Sequence, residues 1–164
     1  MAVREILLLG DAGLYEISVE VERAEIEQVA TAVQDLHDTI MEFKKKNGFG
    51  RAIAAPQIGI QKRLIYMYID KPMIFINPVL TLLGEEKMEL WDDCMSFPGL
   101  FVRVNRHKKC SIEYYDIDWN KQKLALEGDL SELLQHEYDH LDGILAVQRA
   151  VDDRALAFGK AIGK

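Results

Sequence analysis

The chain is short of several things, and each shortage removes a class of protein. Of its 164 residues only two are cysteine, Cys94 and Cys110. That excludes a disulfide-stapled scaffold, and two reduced thiols are expected. The opening Met1-Ala2-Val3-Arg4-Glu5 lacks the charged and apolar regions of a secretory leader, and the run Ile6 to Leu9 is too short to replace them. No apolar stretch approaches the ~20 residues that span a bilayer. No membrane partner is therefore expected, and a cytoplasmic location is. Basic charge is also scarce: 20 Lys and Arg stand against 27 Asp and Glu, a net charge of −7. A general nucleic-acid binder needs a basic face to displace counterions, so direct nucleic-acid binding is not expected. No internal repeat, low-complexity tract or linker is present. With 49 % apolar and 29 % charged residues, the composition is that of a globular protein, and the length fits one domain over residues 1–164.

Residues 3–21 read as a short apolar opening, a turn at Gly10-Asp11-Ala12-Gly13, then extended chain. Over 22–46 the residues Ile26, Val29, Ala30, Val33, Leu36, Ile40 and Phe43 recur at helical spacing. Acidic residues at its start and Lys44-Lys45-Lys46 at its end match the helix dipole. Asn47-Gly48 stops that helix. His37, near the edge of the stripe, reads as a packed or solvated residue. Gly50 to Gln57 is a run of small residues that suits either a tight turn or close approach of a ligand.

From Arg63 the pattern turns to strands: Leu64 to Ile69, Met73 to Ile76 and, after Asn77-Pro78, Val79 to Leu83. Gly84 to Glu89 reads as a charged loop and Trp91 to Gly99 as irregular chain. Leu100 to Val104, Cys110 to Tyr115 and Gln122 to Leu126 read as further strands, the last two joined by a turn at Asp116 to Lys121. Residues 151–162 suggest a brief terminal helix. Strands flanked by helices give an α+β class, with mixed or antiparallel sheets around a central helix and a long N-terminal helix.

That central helix carries Gln135-His136-Glu137-Tyr138-Asp139-His140. Residues four apart share a helix face, so His136 and His140 can offer two imidazole nitrogens to one metal ion. Glu137 lies one step round, within reach of a proton on an attacking water. This is the H-E-x-x-H arrangement of two ligands plus a general base. The plain alternative is a surface helix with two unrelated histidines. Asp129 and Glu132 have capping-box spacing, Ser131 is a second candidate cap, and Gly143 is a natural stop. Leu130, Leu133, Leu134 and Leu141 supply an apolar face.

Catalytic metal sites usually take a third protein ligand. Downstream of His140 there is no His, Cys or Glu, only Asp142, Asp152 and Asp153, and Asp142 is poorly placed at the helix end. Upstream stand Cys94, Cys110, His37 and His107. Cys110 lies in a strand-like run and reads as a small buried hydrophobe. His107 lies in the basic run Arg103 to Lys109, which reads as a solvated strand end or turn. Cys94 sits in irregular chain that can wrap an ion, which favours it without closing the question.

Three stretches together resemble the motifs of the peptide deformylase family. G-x-G-x-A-A-P-Q is similar to Gly50 through Gln57, E-G-C-x-S to Asp92 through Ser96, and Q-H-E-x-D-H to Gln135 through His140. The resemblance covers essentially the whole chain. It implies removal of the formyl group from the N-terminal formylmethionine of new polypeptides, releasing formate. It implies one divalent metal ion on Cys94, His136 and His140, often Fe(II) in the cell with zinc or nickel tolerated. Glu137 would be the base, and the side-chain amide of Gln57 and the backbone N–H of Met95 the oxyanion donors. Gly50, Ala52, Ile53 and Asp93 would line the substrate groove. A transient meeting with the ribosome is compatible with such a substrate. Two departures stand out: Ala52 replaces a glycine, where a methyl would narrow the groove or forbid a positive φ, and Asp92-Asp93 replaces Glu-Gly. Asp92 would support a histidine or pair with Arg106. Asp93 adds a carboxylate that either faces substrate or faces solvent. Other readings on the same residues are an amidase for another N-formylated amine, a metallopeptidase using Asp152 or Asp153, and a non-catalytic formyl-peptide binder.

Overall fold

The structure, a computed structural model, describes residues 2–164. Its first long element is helix α1, Ile26–Asn47, preceded by a 3-10 turn, Arg23–Glu25. Val29, Ala32, Leu36 and Ile40 are buried at helical spacing. Ala30, expected on that stripe, is exposed, and Asp35 and Thr39 are buried in its place. The reason is the N-terminal segment, whose backbone lies against them: Ala2 N–H donates to Asp35 and Arg4 N–H to Thr39. Gly48, at φ 79°, closes the helix as expected.

Six strands follow: β1 Ala52–Ala54, β2 Leu64–Tyr68, β3 Pro72–Asp92, β4 Leu100–Tyr115, β5 Lys121–Glu127 and β6 Leu156–Phe158. They form one sheet in the order β1-β2-β3-β4-β5, with β6 also on β4, and every ladder is antiparallel. Helix α2, Asp129–Leu141, carries the histidine pair. β2 explains the layering. Leu64 and Tyr66 join the apolar cluster under α1, while Ile65 and Met67 join the cluster that contains Leu133, Leu134 and Leu141 of α2. Alternate residues face opposite layers, so both faces are apolar and the sequence shows a continuous run.

Several expected boundaries move. Met73 to Ile76, Val79 to Leu83 and the expected loop Gly84 to Glu89 are one strand, β3. Asn77-Pro78 is a bulge within it, with Asn77 at φ 48° and its side chain bonded to the backbone of Val21. There β3 leaves β2 and pairs with β4. A second register shift, between Leu83 and Lys87, absorbs Gly84, and the charges beyond it ride an exposed part of the ladder. Leu100 to Val104 and Cys110 to Tyr115 likewise join into β4 through the basic run. Arg106 is buried there among alternating inward residues because Asp92 and Asp139 neutralise it.

The expected terminal helix over 151–162 is strand β6 followed by a 3-10 turn, Gly159–Ile162. β6 takes the edge of β4 at Leu100 to Val102. The start of α2 also differs from its expected cap. Gly128 is the capping residue, with no side-chain bond to the helix. Asp129 is already helical, Glu132 is drawn away by Arg51, and Ser131 Oγ donates to the His107 carbonyl. Among the described residues, no helix is long and apolar enough to cross a membrane.

Gly143 ends α2 at φ 70°, and a Cβ there would strike the carbonyl of Tyr15. Gly143→Ala therefore combines a left-handed backbone with a backbone clash. It is expected to cost at least about 2 kcal/mol, read as a lower urea midpoint at unchanged m.

Candidate active site

β3 ends at Asp92, and the next residues turn sharply. Phe97 N–H donates to the Cys94 carbonyl (3.1 Å) and Leu100 N–H to the Phe97 carbonyl (3.2 Å). This turn holds the Cys94 thiol, buried, against α2. Its Sγ lies 3.4 Å from His140 Nε2. The His136 and His140 rings stack edge-on along the helix, 5.0 Å between centroids. Ligand atoms of Cys94, His136 and His140 all fall within 4.8 Å of one another. Among the described residues this is the one such trio of His, Cys, Asp or Glu.

The other candidate donors lie outside this trio, and most are engaged elsewhere. His37 Nδ1 is 2.6 Å from the Tyr66 hydroxyl. Cys110 is buried in β4 with its thiol toward the Ser131 carbonyl. His107 lies within β4, and its backbone pairs with the Gln135 side-chain amide. Asp142 pairs with Arg63 and Asp152 with Arg103. Neither cysteine is in a disulfide.

Each histidine is held differently. His136 Nδ1 bonds Asp92 Oδ2 at 2.8 Å, which leaves Nε2 for an ion. Asp92 in turn receives Arg106 at 3.3 Å, so both supports suggested by the sequence occur together. Arg106 also donates to Asp139 at 2.6 Å, and Asp139 receives the Arg149 fork at 2.8 and 3.0 Å. His140 Nδ1 is buried with no partner among the described residues. The donor set, one thiol and two imidazoles, suits a borderline divalent cation such as zinc or iron.

Charge in this buried setting is redistributed. Burial raises the Glu137 carboxyl to about 7, with Asp92 adding to the rise and His136 opposing it. Its Oε2 has no partner among the described residues. Burial alone would lower His136, but Asp92 and Cys94 carry it well above its ordinary value. Burial takes His140 well below. Burial would raise Asp92 also, yet His136 and Arg106 hold it low. Asp93 is pushed up by burial and by Asp92.

A cavity of about 300 Å³ opens over these groups. Gly50, Ala52, Gln57, Asp93, Cys94, Met95, His136 and Glu137, all nominated from sequence, line it. Ile53 does not: its side chain is fully buried in the cluster under α1, on the opposite face of β1 from Ala52 and Ala54. Ala52 has no positive φ, so its methyl strains nothing. Gln57 is clamped, its Oε1 accepting Ala54 N–H (2.9 Å) and its Nε2 directed at Ser96 Oγ (3.1 Å) and Cys94 Sγ (3.5 Å). Lys44, Gly48, Phe49, Arg51, Asp92 and Leu133 share the lining, though the sequence did not single them out for it. Arg149 also escaped notice, because a surface arginine ten residues past Asp139 carries no spacing signal.

Comparison with known proteins agrees with this geometry. Residues 3–155 match the family described as polypeptide deformylase. Peptide deformylase 1 of Prochlorococcus marinus is 35 % identical, over 96 % of this chain and 86 % of its own length. The peptide deformylase of Dictyoglomus thermophilum is 36 % identical, over 92 % and 95 %. Among solved structures, the peptide deformylase of Thermotoga maritima superposes with a TM-score of 0.85 at 27 % identity, covering 93 % of this chain and all of its own. A trio of Cys94, His136 and His140 under a buried glutamate, on a fold shared with these relatives, has one family explanation: the chain belongs to the polypeptide deformylase family.

Proposed function

We propose that this chain is a metal-dependent hydrolase that removes the N-formyl group from the formylmethionine of newly made polypeptides, acting as a single catalytic domain over residues 1–164 built around α2. The observation that carries the reading is the convergence of Cys94, His136 and His140 with Glu137 and Gln57 on one cavity. One divalent ion on that trio would supply a Lewis acid and make water a competent nucleophile near neutral pH. Fe(II) is the assignment the family resemblance favours, with zinc or nickel as substitutes that the same donors accept.

The rest of the chemistry belongs to the side chains. Glu137 takes the proton from the attacking water and passes it to the departing amine nitrogen. A carboxyl near pH 7 in its protonation equilibrium serves both directions. Negative charge that develops on the formyl oxygen needs donors fixed in advance. Gln57 qualifies because its carbonyl end is tied to Ala54, which fixes the direction of its NH₂. The backbone N–H of Met95, next to Cys94, is the second donor. Gly50, Ala52 and Asp93 border the substrate. β1 is the terminal strand of the sheet, and its outward-facing backbone at Ala52 offers an edge to an extended peptide, while Ile53 turns its own N–H and carbonyl toward β2. Formate and a free amino terminus leave. Such a substrate places the enzyme in the cytoplasm, in passing contact with the ribosome. The acidic balance argues against direct nucleic-acid binding.

Glu137→Ala is expected to retain one ion per chain but lose about 10²–10⁴-fold in formate release from a formyl-Met-Ala-Ser peptide, measured anaerobically with Fe(II). Unchanged release would remove Glu137 from the reaction. Cys94→Ala is expected to lose the ion on dialysis, whereas a site built on Asp152 or Asp153 would keep it. Asp92→Asn should weaken metal affinity by roughly 10–100-fold, since it removes the charge behind His136. Equilibrium dialysis against a chelator series reads that shift.

A further inference from the structure

We propose that residues 2–9 form a positioning segment for the reaction above, on which this inference rests: their backbone fixes the spacing between the turn that carries Gln57 and the turn that carries Cys94. Those two turns share no strand ladder. Gln57 lies in the 3-10 turn Ala55–Ile58, and Ser96 lies just past the end of β3. The segment bridges them. Leu7 N–H donates to the Gln57 carbonyl at 2.8 Å, and Leu9 N–H donates to the Ser96 carbonyl at 2.8 Å. Leu7 and Leu9 thus reach the site, while the Leu8 carbonyl between them accepts Asp11 N–H (2.9 Å) in the turn that follows, and position 8 makes no bond to either site turn.

The same two residues are joined a second time, through their side chains. Gln57 Nε2 donates to Ser96 Oγ at 3.1 Å and approaches Cys94 Sγ at 3.5 Å. A shift of either turn would therefore move the amide and the thiol relative to each other. Misplacement of catalytic groups by about 1 Å can cost on the order of 10²-fold in rate. The far end of the segment is anchored to α1. Arg4 N–H donates to Thr39 Oγ1 (2.8 Å) and Arg4 Nε to Asp35 Oδ2 (2.7 Å), and both partners are 1 % exposed. Packing of side chains accounts for only part of the bridge: Ile6 lies against the cluster under α1, but Val3 and Leu8 are 56 % and 58 % exposed. The bridge acts through backbone donors at alternate residues, and that alternation is what an experiment can read.

The test replaces the amide N–H by an ester oxygen at Leu7, Leu8 and Leu9, one at a time, using the α-hydroxy acid of leucine. Two readouts are taken on folded protein: kcat and KM for formate release from formyl-Met-Ala-Ser, and the thiolate-to-cobalt absorption band of the Co(II)-loaded chain. Esters at 7 and 9 are expected to lower kcat about tenfold or more with KM within about threefold, and to shift the band. The ester at 8 is expected to match the unmodified chain. Equal behaviour at all three positions, or an unchanged kcat and band at 7 and 9, overturns the proposal. If the unmodified chain releases no formate, the functional reading fails, and the cobalt band decides the segment's role by itself. Should the esters unfold the chain, Arg4→Ala loosens the far anchor only. It is expected to shift the band and lower kcat by a smaller factor, and no change in either would overturn the proposal.

Discussion

A single carboxylate oxygen, Asp92 Oδ2, receives both His136 Nδ1 and the Arg106 guanidinium. Much of the molecule is arranged to keep that meeting. Asp92 is the last residue of β3, Arg106 sits midway along β4, and His136 sits midway along α2. All three are almost fully buried. Without Asp92, a guanidinium and an imidazole would be left without their shared counter-charge. Without Arg106, two carboxylates, Asp92 and Asp139, would lose a cation in a place water barely reaches. Breaking buried pairs of this kind costs about 3–5 kcal/mol, so the strand ladder and the helix are locked in register at this point. Arg149 extends the chain of alternating charge outward from Asp139 toward the surface.

The chemical core of the site was legible in the sequence because it is local or carried by distinctive residue types. His136, Glu137 and His140 declare themselves by helical spacing, whereas irregular surroundings only favoured Cys94 and the family resemblance singled it out. The α+β class and α1 were legible because apolar periodicity survives in a helix with one buried face. What could not be read was anything fixed by a distant partner. Arg106 looks solvated until Asp92 and Asp139 are in place. Asp35 and Thr39 look like exposed positions until the N-terminal segment lies on them. Charged residues Glu85 to Lys87 resemble a loop because an exposed two-stranded ladder tolerates any polar side chain. Leu156 to Phe158 has a strand's pairing but too few residues to show a strand's alternation.

The two departures from the family pattern have different consequences. Ala52 sits in strand β1 with an ordinary backbone, so the replaced glycine is not missed conformationally. Its methyl simply faces the cavity. Asp93 is half-buried on the same cavity, and the Arg51 guanidinium offsets part of its charge while itself pairing with Glu132. The wall near the cysteine is thus more polar than a glycine would leave it. Asp92 itself, shorter by a methylene than the glutamate it replaces, still reaches both of its partners.

The groups of the active centre come from widely separated parts of the chain. Gln57 meets Cys94 across 37 positions, Asp92 meets His136 across 44, and Cys94 meets His140 across 46. Ser18 donates to the Leu141 carbonyl, closing a still longer span. Contacts of this kind form only after most of the loop-closure entropy has been met, which delays them in folding. α2 alone carries His136 and His140, but the third donor, Cys94, reaches them only once the sheet that separates it from the helix in sequence has formed. Ion capture is therefore a late event that reports a finished fold. A bound ion then slows the reverse path, since unfolding must release it.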